Sequence, residues 1–463
     1  MTTVDALTEA LGAAKVLTDP AVLDARRHDY WMVSHARDLA GNPAPRPACV
    51  VRPSSTADVQ AVLKIANECR APVIPFGLGS GVVGGVIASA DAIVLDMGAM
   101  NAVRFVDAVN LLAGFDAGVN GLAAEEAVAA GGLTIGHWPQ SVAISTVGGW
   151  IATRASGQFS TLNGNIEDIV HAVEAVLPNG DLVVLGRGPR ASAGPDLRHL
   201  MLGSEGCLGV ITGVTFSLRR AAERRALSAF SAPDMRAGFE FQREIIQRGW
   251  RPPVARQYDE RESLRLDERA TGCLVLMVHE GPAALVAAET AAIAALASET
   301  GIAAAPADIV ETWLERRNHV PGWDQILSRD IVADTVEISG SWTAIGDIYD
   351  DAVASLKQIE GCLAASAHSS HVYRGGLNLY FTFAVAVGGP AAMEGAYEGA
   401  WRRIMEAVDR HGGSLAHHHG IGRVRRPWLE RELGAAGVGL LRRIKTALDP
   451  NAIMNPGVLI PDA

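Results

Sequence analysis

The sequence predicts an α+β fold in which a glycine-rich first block and a short tail flank an inserted α+β cap. Three observations predict it. From "PACVVRPSS" to "GVITGVTFSLRR", short β-branched runs alternate with stretches of helical periodicity. After Arg220 a charged junction, "RRAAERRALSAF", leads into longer helices and further strands. The tail "IKTALDPNAIMNPGVLIP" (444–461) returns to Pro, Asn and Gly turn chemistry. At 463 residues the chain is too long for one ordinary core. The expected division is a helical segment over 1–44, a first domain over 45–221, a cap or substrate domain over 222–405, and a C-terminal segment over 406–463.

The elements follow in order. "MTTVDALTEALGAAK" reads as an amphipathic acidic helix, without the basic and apolar regions of a signal peptide. "ACVVRP" (48–53) reads as a strand. "TADVQAVLKIANECR" (56–70) reads as a helix with Thr56 as N-cap and an apolar face on Val59, Val62, Leu63 and Ala66. "APVIPFG" (71–77) and "DAIVLDM" (91–97) are strands, and "VEAVLPNGDLVVLG" (173–186) is a hairpin turning at Asn179-Gly180. "PDLRHLMLGSEGCLGVIT" (195–212) reads as helix, glycine turn and strand. In the cap, "GCLVLMVHE" (272–280) and "NLYFTFAVAV" (378–387) are strands, and "YEGAWRRIMEAVDRHG" (397–412) is a helix. "ALVAAETAAIAALA" (284–297) is apolar, but it carries Glu289 and falls short of the about 20 residues that a bilayer requires.

Composition narrows the function. Forty basic against 51 acidic side chains give a net charge of −11, which argues against nucleic acid and anionic membrane as partners. Five scattered cysteines, none in a CxxC pair, read as reduced, mostly buried thiols of a cytoplasmic protein. They suit neither a disulfide frame nor a zinc site. The 49 glycines exceed the usual level of about 7%, and many fall between 77 and 213, where backbone must approach something closely.

"PFGLGSGVVGG" (75–85) carries that chemistry. Its glycines expose backbone N–H groups that can wrap a pyrophosphate. A dinucleotide fingerprint can be read at Gly79, Gly81 and Gly84, with Asp96 downstream. That fingerprint must open a helix, and only "VIASADA" separates Gly85 from the next strand. The loop is therefore expected to work through backbone amides alone.

The loop, "STVGGWIATRASGQFSTLNGNIEDIV" (145–170), "NGDLVVLG", "GPDLRHLMLGSEGCLGVIT" and the terminal "NPG" together resemble the vanillyl-alcohol-oxidase superfamily of FAD enzymes. The resemblance covers roughly residues 45–220 and 408–460. It implies a two-part PCMH-type FAD-binding domain with the cap inserted. It also implies that Gly77, Gly79, Ser80 and Gly81 hold the FAD pyrophosphate. Ser145, Thr146, Gly148, Gly149 and Ser156 would line the flavin, Glu205 and Ile211 would contact the adenosine end, and Pro75, Pro139, Thr153 and Gly209 would also bind the cofactor. Ser80 stands where covalent-flavin branches carry His, so a non-covalent FAD is expected.

The C-terminal half separates two branches. D-2-hydroxy-acid dehydrogenases carry HxGDGNxH and then G-E-H-G, which form a metal site. Here "HVYRGGLNLYF" keeps His371 but has Asn378 at the second position, and "LAHHHGIGRVRR" has His418 in place of the Glu. Neighbouring side chains diverge on a strand and on a helix, so three consecutive histidines are not expected to meet on one metal. No metal is expected. The chain more closely resembles alkyldihydroxyacetonephosphate synthase in "STVGGW", "GNIED", "SHVY" and "HHHG". By that resemblance Arg256, Tyr373, His417, His418 and His419 lie near the flavin as catalytic residues. Arg256, His371 and Arg374 are the candidates for holding substrate. Imidazole titrates near neutral pH and can take a proton, tyrosine can relay it, and arginine can grip an anion. "GIG" (420–422) would let backbone pack against the isoalloxazine, with Arg423 steadying the site.

The expected function is oxidation of a small hydroxylated, anionic substrate by FAD. The alternative is a synthase-like transferase that uses the flavin without net redox. Expected partners are the small-molecule substrate and an electron acceptor, with no transmembrane segment; a homodimer is compatible with this reading.

Overall fold

The computed structural model describes residues 1–461. Three sheets carry the architecture. In the first, strands run in the order Val16–Leu17, Cys49–Val51, Ile93–Asp96, Val73–Phe76, the last three parallel to one another. Helix Thr56–Cys69 covers it, burying Val59, Val62, Leu63 and Ala66 as the periodicity requires. Its cap is Ser55, whose side chain accepts from the Asp58 N–H at 3.2 Å, and not Thr56 as expected. Thr56 already has a place inside the helix, and its hydroxyl donates to Glu174 at 2.9 Å, tying the helix to the second sheet.

The second sheet is antiparallel, in the order Val103–Asp107, Leu112–Asp116, Val210–Ser217, Val170–Val176, Leu182–Leu185. The expected hairpin forms its edge, with Val176 opposite Leu182. No helix follows the glycine loop: residues 77–92 are irregular up to the strand at Ile93, so the loop itself opens no helix.

The cap sheet has eight antiparallel strands between Arg224 and Ala386. Its centre is Cys273–Gly281, Val254–Tyr258, Cys362–Ser369, Gly376–Ala386 and Ile331–Ser341. Helix Ala283–Thr300 is long and apolar enough to cross a membrane by length and composition. In this fold it packs on the cap, burying Val286, Ile293, Leu296 and Ala297. All five cysteines are unpaired, and Cys49, Cys207 and Cys273 are buried.

Both ends of the chain fasten the parts together. The N-terminal segment gives Val16 and Leu17 to the first sheet, then Trp31, Met32, Val33 and Ala36 to the core under the cap. At the other end Met454 bridges to Val73 in the first sheet, and Ser414 bridges to Ser339 in the cap. The loop between helix Met393–Arg410 and residue 426 therefore lies between the two.

Candidate active site

A cavity of about 740 Å³ opens between the first block and the cap. On the first-block side it is lined by Pro75, Gly77, Gly79, Ser80, Gly81, Pro139, Ser145, Thr146, Gly148, Gly149, Thr153, Ser156, Glu205, Gly209 and Ile211. On the cap side it is lined by Arg256, Tyr258, Glu262, Thr335, His368, His371, Tyr380, His418 and His419.

The glycine loop is shaped as a cradle. Gly79 has φ +71°, a left-handed conformation that glycine adopts freely. A Cβ on Gly77 would lie 2.6 Å from Thr146 Oγ1, so side chains are excluded where the two loops meet. Among the described residues no backbone N–H from Leu78 to Val82 donates to a protein acceptor. A row of unpartnered amides around an open glycine loop fits a pyrophosphate. These residues fit FAD.

Glu205 lines the cavity and also fastens a loop. Its carboxylate accepts from the Ile421 and Gly422 N–H groups at 2.7 and 2.8 Å. It binds the loop after the histidines to the first block. The glycines of "GIG" are needed there and not against a flavin ring. A Cβ at Gly420 would meet Glu205 at 3.0 Å, and one at Gly422 would meet the Val83 carbonyl oxygen at 2.1 Å. Arg423 donates to the Pro456 and Gly457 carbonyls at 3.0 and 3.4 Å, which fixes the chain end.

The histidine triplet is organised by a residue that the sequence reading missed. Glu337, fully buried on strand Ile331–Ser341, accepts with one oxygen from three consecutive N–H groups: His417 at 3.3 Å, His418 at 3.0 Å and His419 at 2.7 Å. Its other oxygen pairs with the buried Arg425. Arg425 also donates to the Glu337 and Gly420 carbonyls at 2.9 and 2.8 Å and lies 4.8 Å over Trp401. Three amides converging on one anion curl the backbone into a nest that is neither strand nor helix.

In that nest adjacent histidines do converge, contrary to expectation. His417 Nδ1 lies 2.8 Å from His418 Nδ1, and the ring nitrogens of His371, His417 and His418 fall within 4.8 Å of one another. These three could hold a metal ion, as neutral imidazoles do. They also satisfy one another and their neighbours. His417 Nε2 meets Tyr373 Oη at 2.6 Å, and Tyr373 donates to Asn165 at 3.3 Å. His371 Nδ1 meets the Ser160 and Ser156 hydroxyls at 2.7 and 3.1 Å. Asn378, at the place of a missing ligand, accepts from the Ser370 and His371 N–H groups at 2.8 Å each and so fixes His371.

Burial pushes His417 down to about 3 and His419 to about 4, and it carries His371 and His418 well below the ordinary histidine range, with help from neighbouring imidazoles. The triplet is therefore neutral at pH 7. It does not titrate near neutrality, as the sequence reading expected of it.

Arg256 lines the cavity. Its Nε donates to Tyr258 Oη at 2.6 Å, and among the described residues it has no carboxylate partner. Asp259 turns away, accepting from Glu262 and Ala367 N–H groups at 2.9 and 2.7 Å. Arg374 is not in the cavity. It is exposed in the tight turn between the paired residues Tyr373 and Gly376, where a hairpin points side chains into solvent. Tyr373 and His417 stand behind the lining rather than in it. Tyr258, His368 and Tyr380, also missed, share one row: Tyr258 lies opposite His368, and His368 opposite Tyr380. The alternation that places Arg256 on the cavity also places Tyr258 there, and that signal was available in "ARQYDE".

Residues 221–459 match the family described as FAD linked oxidases, C-terminal domain, and residues 47–186 match the FAD binding domain. The chain is 35% identical to the FAD-linked oxidoreductase YgcU of Escherichia coli O157:H7, over 99% of this chain and 98% of the relative. It is 29% identical to alkyldihydroxyacetonephosphate synthase of Dictyostelium discoideum, over 90% of this chain and 73% of the relative. A solved structure of an alkyldihydroxyacetonephosphate synthase superposes with a TM-score of 0.81 at 25% identity, covering 98% of this chain and 84% of that one.

Proposed function

Because the chain belongs to the FAD-linked oxidases, FAD-binding oxidoreductases, we propose that it oxidises a small hydroxylated, anionic substrate. Bound FAD supplies the hydride acceptor, N5. The amides of residues 78–82 hold its pyrophosphate, and Ser80 leaves it non-covalent. Arg256 holds the substrate anion from the cap side. The observation that carries this reading is the Arg256 guanidinium, which opens on the cavity without a carboxylate of its own. A fork of donors in a half-enclosed site is suited to a carboxylate or phosphate.

Anaerobic mixing with D-lactate, glycolate and other hydroxylated anions tests it. The oxidised flavin band is expected to bleach and stay bleached until an electron acceptor is added. Arg256→Gln should raise KM about 10- to 150-fold, the worth of a charged hydrogen bond of about 1.5–3 kcal/mol, with FAD content unchanged. A second reading is favoured by the Tyr373–His417 contact, which joins two motifs shared with the synthases. It is a transferase that exchanges an acyl for an alkyl group on a dihydroxyacetone phosphate ester. Turnover of that ester with no net flavin reduction would select it.

A further inference from the structure

A carboxylate–imidazole pair stands on the cap wall of the cavity, apart from the histidine triplet. His368 Nδ1 lies 2.7 Å from Glu262 Oε2. The other carboxylate oxygen accepts from Ser366 Oγ at 3.0 Å and Thr382 Oγ1 at 2.8 Å, with Arg265 at 3.3 Å. Glu262 is buried at 3% exposure, and the imidazole is stacked on Tyr380 at 4.9 Å with an interplanar angle of 19°. Burial raises the Glu262 pKa, but His368, Arg265 and Thr382 outweigh it and hold the carboxyl to about 2, so it is ionised. Burial keeps His368 below its ordinary value, and Arg256 adds to that, against the pull of Glu262.

An ionised carboxylate on Nδ1 selects the tautomer with its proton there and a lone pair on Nε2. Among the described residues Nε2 has no hydrogen-bond partner, and His368 lines the cavity. Arg256 lies two residues from Tyr258, the residue paired opposite His368, and so on the same face of the sheet. An anion held by Arg256 thus brings its hydroxyl to the His368 side. Of the triplet, His417 stands behind the lining with both nitrogens engaged, by Tyr373 and by His418. His418 and His419 also line the cavity, but among the described residues neither has a carboxylate hydrogen-bonded to its ring as Glu262 is to His368.

We propose that His368 is the catalytic base for the substrate hydroxyl and that Glu262 is its positioning residue; this rests on the oxidase reading above. The substrate O–H bond breaks and its proton passes to His368 Nε2. FAD, when bound, would supply the oxidant: it would take the C–H hydrogen with its electron pair as the carbinol carbon becomes a carbonyl.

Two measurements on the holoenzyme test it. The first is carbethoxylation by diethyl pyrocarbonate followed by peptide mass mapping. His368 should be modified ahead of His371 and His417, and D-lactate or inorganic phosphate in the cavity should protect it. A His368 that stays unmodified while His417 reacts would overturn the assignment. The second is anaerobic flavin reduction. His368→Gln should slow it by about 10²- to 10⁴-fold at unchanged FAD content, with partial rescue by added imidazole. Glu262→Gln should act less and move the acid limb of the rate to lower pH, since it removes the charge that raises His368. The other groups facing His368, namely Arg256, Arg265, Tyr258, Tyr380, His371 and His418, remain in that variant. If wild type is reduced and His368→Gln is reduced as fast, the inference fails and the oxidase reading stands. If wild type is reduced by no hydroxylated anion, both fail.

Discussion

The two walls of the cavity are built by opposite means. The first-block wall is backbone: amides from 78 to 82 and glycines where a Cβ would collide. The cap wall is side chain: Arg256, His368, Tyr380 and the histidine nest, the last three aimed by partners far away in sequence. A backbone wall tolerates almost no added atom but asks little of its charges. A side-chain wall tolerates changes in volume better and depends on buried charges being paired. The sharpest tests of this contrast exchange the two kinds of damage.

The largest effect is expected at Glu337. Glu337→Ala leaves Arg425 as an uncompensated buried cation and strips three amides of their acceptor. Urea unfolding should show a loss of about 3–5 kcal/mol. A loss under about 1 kcal/mol would mean that the nest holds itself. Next comes Gly422→Ala, the equivalent insult to the backbone side. With φ +56° and a backbone oxygen 2.1 Å from the new Cβ, it should cost stability near the upper end of the usual range of about 0.5–3 kcal/mol. FAD content should fall with it, because Val83 belongs to the cradle loop.

Acid separates the walls more gently. His417 and His419 have folded pKa values of about 3 and 4, below the ordinary 6.5. Between those values the unfolded chain takes protons that the fold refuses. Their stabilisation is complete above pH 6.5 and is lost as pH falls toward 3. Glu205, raised by its burial to about 7, acts the other way, because its folded form holds a proton between 4.5 and 7. Thermal midpoints from pH 7.5 to 5 should therefore drop less in His417→Asn than in wild type, isolating the histidine share. The smallest effect is expected from Arg374→Ala. An exposed turn residue should change stability by less than about 0.5 kcal/mol and leave KM unmoved; a rise in KM would return it to the substrate site.

The same contrast decides how much could be read from the sequence. Glycine at 77 and 79 is a statement about local backbone, so the cradle was legible from "PFGLGSGVVGG" alone. The strands and helices were legible for the same local reason, and the cap at Ser55 shows the margin, a single residue. The histidine geometry was not legible. "DTVEISG" reads as an ordinary alternating strand, and nothing in it says that Glu337 meets an arginine 88 residues later. Without that carboxylate, the reasoning that neighbouring side chains diverge was sound for strands and helices and wrong for a nest. Glu262, on the short helix Glu260–Leu266, and His368, on strand Cys362–Ser369, lie 106 residues apart and meet only because that helix packs beside that strand. Local rules find backbone sites, and side-chain pairs distant in sequence require the tertiary fold.

One feature of the chain ends bears on how the protein is made. Ile453 and Met454 sit in the core of the first sheet, and the Asn455 N–H reaches back to Val73. The first sheet therefore waits for residues synthesised long after its own strands, which end at Asp96. From the end of the second sheet at Ser217 to Met454, a ribosome working at about 5–20 residues per second needs roughly 10–50 s. Throughout that interval the nascent first block has its strands but not its closing residues, and early release of the chain would leave that core open to aggregation.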